Sequence, residues 1–314
     1  WSTSNDMQCT LSINRVRFTF TISQVKPKVF KVFAFLKRNT TLLSHDEYRA
    51  GHVGYHCGQS RRLKNIRGYL VNVWSNTPFA ERVGTDLYEQ ITRNEPLDFL
   101  DWWDGFPEVF FDHHQAWLEA MSVEPNRATG DGLVIDPDWS LADGPLLFDP
   151  VPDRPGEFKP CHLLMHEHIL KPVERQERKS FKLMQFFKNS PNISHEQVLA
   201  EYATEASKLQ GLNGCIANFR DSNQAAAMRG FYGDDSWGLS DEGVAHRARF
   251  CAMWDGAIEF HFNHCNDFVS ARRTLNDKLT MLESAFFDSV WYVEVDENLI
   301  VMPNRDPAPN YYFR

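Results

Sequence analysis

The sequence predicts an α+β protein made of two tandem β-α-β-β-α-β units of the ferredoxin-like kind. Three motifs that recur in order at one offset predict it. Phe30 to Arg38 (FKVFAFLKR) returns as Phe181 to Asn189 (FKLMQFFKN). Ser44-His45-Asp46-Glu47 returns as Ser194-His195-Glu196-Gln197, and the stretch from Trp103 to Phe111 returns as Trp254 to Phe262. The offsets are 151, 150 and 151 residues, read directly from the numbering. A period this long, well beyond the roughly 20–50 residues of solenoid repeats, implies that each copy is a folding unit with its own core. The expected division is residues 1–27 as an N-terminal extension, 28–172 as the first domain and 180–314 as a diverged second domain.

Each element has a local reason. Residues 29–37 are an apolar, aromatic run typical of a strand. Ser44 followed by Glu47 has the capping-box spacing that starts a helix, and positions i, i+4 and i+8 then put Tyr48, His52 and His56 on one face. Residues 67–74 read as the second strand and 76–102 as a variable stretch. Asp104-Gly105 turns into a strand at 106–112, with Asp104, like Asp255, read as a turn former. Residues 113–121 read as a helix, 122–160 as a Pro/Gly/Asp-rich loop, 161–170 as the fourth strand and 171–179 as a charged link. The second copy is expected to run strand 181–188, helix 194–208, strand 213–220, a polar insertion to about 248, strand 256–262, helix 264–285 and strand 289–301. Before the first copy, apolar and polar residues alternate from Val16 to Ile22 as in a half-buried strand. The chain opens on Trp1, which points to a fragment or an upstream extension.

Composition narrows the function classes. The net charge is −9 and basic residues form no long block, which argues against nucleic acid and anionic membrane as main partners. No run approaches the ~18 apolar residues of a membrane span. Six cysteines without a CxxC pair read as reduced thiols of a cytoplasmic protein. Aromatic residues reach 13 %, enough to line a pocket for a flat apolar ligand or simply to fill two cores. Walker-type loops, dinucleotide fingerprints and G-x-S-x-G elbows are absent from the sequence.

The strand ending Phe35-Leu36-Lys37-Arg38, the helix pattern Tyr48-Arg49 with His52 and His56, the strand Gly68-Tyr69-Leu70-Val71-Asn72 and the turn from Asp104 to Phe111 resemble an EthD domain. The resemblance covers residues 29–170 well and 180–302 more weakly. It implies the dimeric α+β barrel superfamily, with two sheets face to face, here both from one chain as an intrachain pseudo-dimer. It also implies small-molecule chemistry without a cofactor, on aromatic or polyketide-like compounds, although some distant relatives bind haem. Fusion of two copies leaves the assembly open between a monomer and a homodimer.

In EthD-like domains the helix pattern ends in a histidine, and that position is His56. An imidazole titrates near neutral pH and can take a proton from a carbon acid or a phenol. The second copy carries Ala206 and Tyr202 in the slots of His56 and His52, so the first copy is expected to hold the chemistry. His56, Tyr69 and Glu108 are the expected catalytic residues, with Tyr69 and Glu108 polarising a carbonyl or phenol. His52, Asn72, Phe33, Phe35 and His166 are the expected substrate contacts. Glu108 and Asn72 recur as Glu259 and Asn218, which equally suits a structural role. His52 and His56 stand four apart, a spacing that suits two metal ligands, but no third ligand pairs with them and no metal is expected. His162, His166 and His168 share one face of a strand, open to solvent, pocket or metal roles. The leading expectation is a lyase-type reaction: dehydration, decarboxylation or retro-aldol cleavage. A cofactor-free oxygenase and a binding protein for a hydrophobic ligand are the alternatives.

Overall fold

The computed structural model describes residues 8–13, 16–21 and 29–303, apart from 62, 64, 122–143, 176, 178 and 230–233. The first part of the stretch read as loop over 122–160 therefore lies outside the described residues. Near the N-terminus, β1 (Gln8–Ile13) and β2 (Val16–Thr21) pair as a separate antiparallel hairpin.

The remaining strands form a single closed antiparallel barrel. They are β3 (Phe30–Phe35), β4 (Gly68–Trp74), β5 (Gly105–Phe111), β6 (Cys161–Lys171), β7 (Phe181–Asn189), β8 (Gly214–Arg220), β9 (Gly256–Phe262) and β10 (Phe287–Val301). Round the barrel the order is β10-β4-β5-β3-β6-β8-β9-β7, closing from β7 back to β10. This corrects the expected pair of tandem ferredoxin-like domains packed as an α+β barrel of two facing sheets. The reason lies in the sheet edges. The four strands of each copy would leave edges at β4 and β6 in the first and at β8 and β10 in the second, and unpaired edges are costly. Here β6 pairs with β8 from Met165 opposite Arg220 to Lys171 opposite Cys215, and β10 pairs with β4 from Val295 opposite Trp74 to Val301 opposite Tyr69. The hydrogen-bond ladder is thus continuous, and closure removes every edge.

Strand alternation divides the side chains between two environments. Phe33, Phe35, Phe106, Met184, Phe186 and Trp291 point inward and pack with Trp103, Trp254, Phe99 and Phe250 into an aromatic plug. Ring centroids lie 4.8 Å apart for Phe35 and Phe106 and 4.9 Å for Phe99 and Trp291. Outward residues such as Val32, Tyr69, Val71 and Val109 pack under helices.

Helix starts follow the sequence. Ser44 with Glu47 and Ser194 with Gln197 each form a complete capping box. Both first helices then widen into a π-helical turn, Gly51–His56 and Val198–Ala203, which periodicity alone does not signal. The variable 76–102 stretch contains helices Phe79–Val83 and Thr85–Ile91, and the polar insertion contains helix Asp241–Cys251. The helix expected over 264–285 breaks into Cys265–Thr274 and Asn276–Phe286. Asp104 and Asp255 do more than turn the chain. Their carboxylates accept from the backbone N–H of Arg38 (2.9 Å) and Asn189 (3.0 Å), tying down the ends of β3 and β7. No helix among the described residues is long and apolar enough to cross a membrane.

Next to the aromatic plug the interior turns polar. Lys31 Nζ, fully buried, lies 2.8 Å from Glu108 and from Glu259 and 3.0 Å from Glu167. Lys182 Nζ lies 2.8 Å from Glu259 and 3.1 Å from Glu297, and also pairs with Glu108. Burial by itself would raise the Glu297 carboxyl, but Lys182 and its other cationic neighbours outweigh it and hold the pKa at about 2 against an ordinary 4.5. A carboxylate depressed in this way stabilises the fold above its unfolded pKa and loses that contribution as pH falls through the folded value. Resistance to urea is therefore expected to fall between pH 4.5 and about 2, and Glu297→Gln should flatten that part of the profile. An unchanged slope in the variant would show that Glu297 is not the titrating group.

Candidate functional site

The 45–60 helix lies over the outer face of β3–β5, and a cleft opens between them. His56, Ser60, Tyr69, Trp117, Phe148 and His162 are among its lining residues. The cleft holds about 590 Å³ of empty space including its open mouth, of which about 50 Å³ has room for the centres of water molecules. Among the described residues, no carboxylate lines it.

His56, His162 and Tyr69 bring polar groups to this space, and His52 lies behind His56. His56 meets Phe148 edge-on, with ring centroids 5.2 Å apart, and its ring lies 5.4 Å from that of His52. His52 is fully buried and its Nδ1 bonds to the Tyr48 hydroxyl at 2.8 Å. Burial, and then the neighbouring His56, push His52 well below the usual histidine range. Burial, reinforced by Arg247, brings His162 down to about 3. Burial, and then the adjacent Cys57, raise the Tyr69 phenol well above its usual value; Cys57 Sγ donates to that hydroxyl at 3.4 Å. At neutral pH the cleft therefore offers the uncharged His162 imidazole as an acceptor and the protonated Tyr69 phenol as a donor.

The structure brings His56 and Tyr69 to this one cleft, places the fully buried His52 behind His56, and sends the other expected residues elsewhere. Glu108 and Asn72 sit across the sheet inside the barrel, where the Asn72 amide donates to Glu108 at 2.8 Å. Phe33 and Phe35 belong to the aromatic plug. The three histidines of β6 share the outward face and then part company. His162 reaches the cleft, His166 pairs with Asp221 at 2.6 Å and His168 packs against Phe219. Register decides this, since His162 stands opposite Ala34 on β3 while His166 and His168 stand opposite Phe219 and Ala217 on β8. In the second copy the corresponding space is filled. Tyr202 donates to Glu283 at 2.8 Å, Arg272 pairs with the same carboxylate at 2.7 Å, and Ala206 is buried beside them in the core.

Sequence reasoning missed the second polar constellation, at the open end of the barrel. Glu259, His261 and Glu297 place ligand atoms within 4.8 Å of one another, all buried. They are the described residues best arranged to hold a metal, but the Lys182 ammonium already sits 2.8 Å from Glu259 and 3.1 Å from Glu297 and supplies the cation they need. The sequence signal was Lys31 and Lys182, which recur at the 151-residue offset inside otherwise apolar strands.

No family model matches the chain, and no curated protein sequence matches it. Among solved structures, a Fusobacterium nucleatum protein named as a candidate monooxygenase aligns over 88 % of this chain and 94 % of its own, at 9 % identity and a TM-score of 0.47. An anthrone oxidase-like protein aligns over 90 % of this chain and 97 % of its own, at 8 % identity and a TM-score of 0.44. Chlorite dismutase from Candidatus Nitrospira defluvii aligns over 86 % and 92 %, at 12 % identity and a TM-score of 0.35. Similarity this distant supports no inference about chemistry.

Glu108 separated from the cleft has a direct consequence. Glu108→Ala would leave Lys31 and Lys182 short of a buried partner, which should cost about 3–5 kcal/mol in urea unfolding. The ring resonances of His56 and His162 should stay where they are in the parent protein. A large change in those resonances without loss of stability would link Glu108 to the cleft instead.

Proposed function

We propose that the protein is a cofactor-independent enzyme acting on an aromatic or polyketide-like small molecule, with His56 as the proton acceptor. The observation that carries this reading is the position of His56 in an apolar cleft that also presents Tyr69 and His162 and, among the described residues, contains no lining carboxylate. A base in such a cleft can remove a proton from a phenol or an activated carbon, and the Tyr69 hydroxyl can donate to the oxygen that gains charge. The resemblance of the helix and turn motifs to EthD domains supports the same reading.

Of the reaction types compatible with these groups, oxygenation of the substrate anion fits best. Removing the proton leaves an electron-rich carbanion that can reduce molecular oxygen itself, and an apolar cleft suits both reactants. A dehydration or decarboxylation gains from a carboxylic acid near the departing group, and Glu108, the acid expected to assist, lies on the far side of the sheet. A second reading, a binding protein for a hydrophobic ligand, draws support from the mostly apolar lining of the cleft.

Oxygen consumption and product mass separate these readings when the pure protein is incubated in air with tricyclic phenols and anthrones. The oxygenase reading expects oxygen uptake and a product heavier by oxygen. His56→Ala should lower that rate by about 10²-fold or more, with the fold intact by circular dichroism. Products lighter by water or carbon dioxide, formed without oxygen uptake, would replace oxygenation by a lyase reaction. Ligand binding that is equal in His56→Ala and parent, with no turnover in either, would establish the binding protein.

A further inference from the structure

The plugged end of the barrel holds two cysteines that the proposed reaction does not use. Cys161 is the first residue of β6, and Cys251 is the last residue of helix Asp241–Cys251. Both are free thiols buried in the aromatic plug. Cys161 stands opposite Phe35 on β3, and the Phe35 ring lies 4.9 Å from Phe250 and 5.5 Å from Trp254, the rings that bracket Cys251. There the Cys161 thiol donates a hydrogen bond to the Cys251 sulfur. Two guanidinium groups stand beside the pair. Arg220 Nη2 donates to the Cys251 carbonyl at 2.9 Å, and the buried Arg247 lies one helical turn before Cys251 on the same face. The Nε–H of each arginine has no hydrogen-bond partner among the described residues. The Cys161 hydrogen bond, with help from Arg220 and Arg247, outweighs burial and holds Cys251 below the usual thiol range. Burial, and then Cys251, raise Cys161 well above that range, and burial also pushes Cys215 and Cys265 up. A thiol beside positive charge, with a second thiol against it, is the arrangement of a nucleophilic and a resolving cysteine.

We propose that Cys161 and Cys251 are a redox pair that hydrogen peroxide closes into a disulfide, stapling helix Asp241–Cys251 to β6 across the plugged end of the barrel. The modification is independent of the reaction assigned to the His56 cleft. The Cys251 thiolate attacks one peroxide oxygen and the O–O bond breaks. The departing hydroxide takes the proton that left the thiol and becomes water, and Cys251 is left as a sulfenic acid. The Cys161 sulfur then attacks the Cys251 sulfur. The S–S bond forms, the S–O bond breaks, and the hydroxyl leaves as water with the Cys161 proton. Two thiols have lost two electrons and two protons, and one peroxide has become two waters. Peroxide is close to water in size, which suits a buried pair. The bond ties a strand of the first copy to the insertion helix of the second, and a cross-link over so long a loop strengthens the fold by restricting the unfolded chain.

The test treats the full, reduced, folded chain with hydrogen peroxide and follows it by intact mass and by peptide mapping after alkylation. The protein should lose the mass of two hydrogens and yield one peptide pair joined through Cys161 and Cys251, which dithiothreitol separates. The oxidised form should unfold at a higher urea concentration than the reduced form. Cys251→Ser should slow the first oxidation about tenfold or more, and Cys161→Ser should stop at a sulfenic acid on Cys251 that dimedone traps. Should either variant fail to fold, differential alkylation of the parent protein decides the matter. Cys251 should then become protected about tenfold or more faster than Cys57, Cys215 and Cys265. A disulfide through any other cysteine, or oxidation of those three as fast as Cys251, would overturn the proposal. Survival of both thiols in peroxide that fully oxidises glutathione would overturn it too, leaving Cys161 and Cys251 as inert packing residues.

Discussion

Inside the barrel, two lysines from corresponding strands reach across to glutamates from both copies. Lys31 of the first copy pairs with Glu259 of the second, and Lys182 of the second pairs with Glu108 of the first. Each ammonium therefore depends on the other half of the chain for part of its compensation. A buried charge without that compensation costs several kcal/mol, so the halves are tied together electrostatically as well as through the β6–β8 and β4–β10 ladders. This crossed pairing explains why the interior can be polar at all. It also limits how the two copies can diverge, because a change to either lysine or either glutamate strands a charge in the other half.

The polar layer divides the molecule into two working environments. Toward one end, the aromatic plug of Phe35, Phe106, Trp103, Trp254 and Trp291 leaves the barrel closed. Toward the other, Glu259 and His261 face the mouth. Outside the barrel, each sheet face is covered by its own helices, and here the copies differ. In the first copy the helix supplies His56 to a cleft; in the second the equivalent space is occupied by Tyr202, Glu283 and Arg272. The barrel interior is thus where the copies must agree, and the helix-covered faces are where they are free to part.

Much of this was legible from residue patterns. The repeat at a constant offset located all eight barrel strands to within a few residues, because strand periodicity and aromatic content are local properties. The capping boxes at Ser44 and Ser194 marked both helix starts. The grouping of His56 and Tyr69 was also accessible, since a helix face and the strand beneath it are separated by short chain segments. The π-helical turns were not, because a single inserted residue in a helix changes no pattern that can be read one residue at a time. Glu108 illustrates the limit more sharply. Its place in an aromatic strand marked it as unusual, but whether it faced the helix or the barrel depended on register, and a shift of one residue exchanges the two faces.

By itself, then, the sequence determined the duplication, the kinds of element in each copy and the helix that carries His56. These follow from local periodicity and from short-range capping chemistry. Only the tertiary structure decided that the copies share one closed barrel instead of forming two domains, that Lys31 and Lys182 exchange partners across it, and that His162 joins the cleft while Glu108 does not. Those outcomes rest on pairing between strands more than a hundred residues apart, such as Tyr69 with Val301 in sheet register and Lys31 with Glu259 in charge. Closing the barrel satisfies every strand edge at once, and that requirement belongs to the assembled sheet, not to any segment of it.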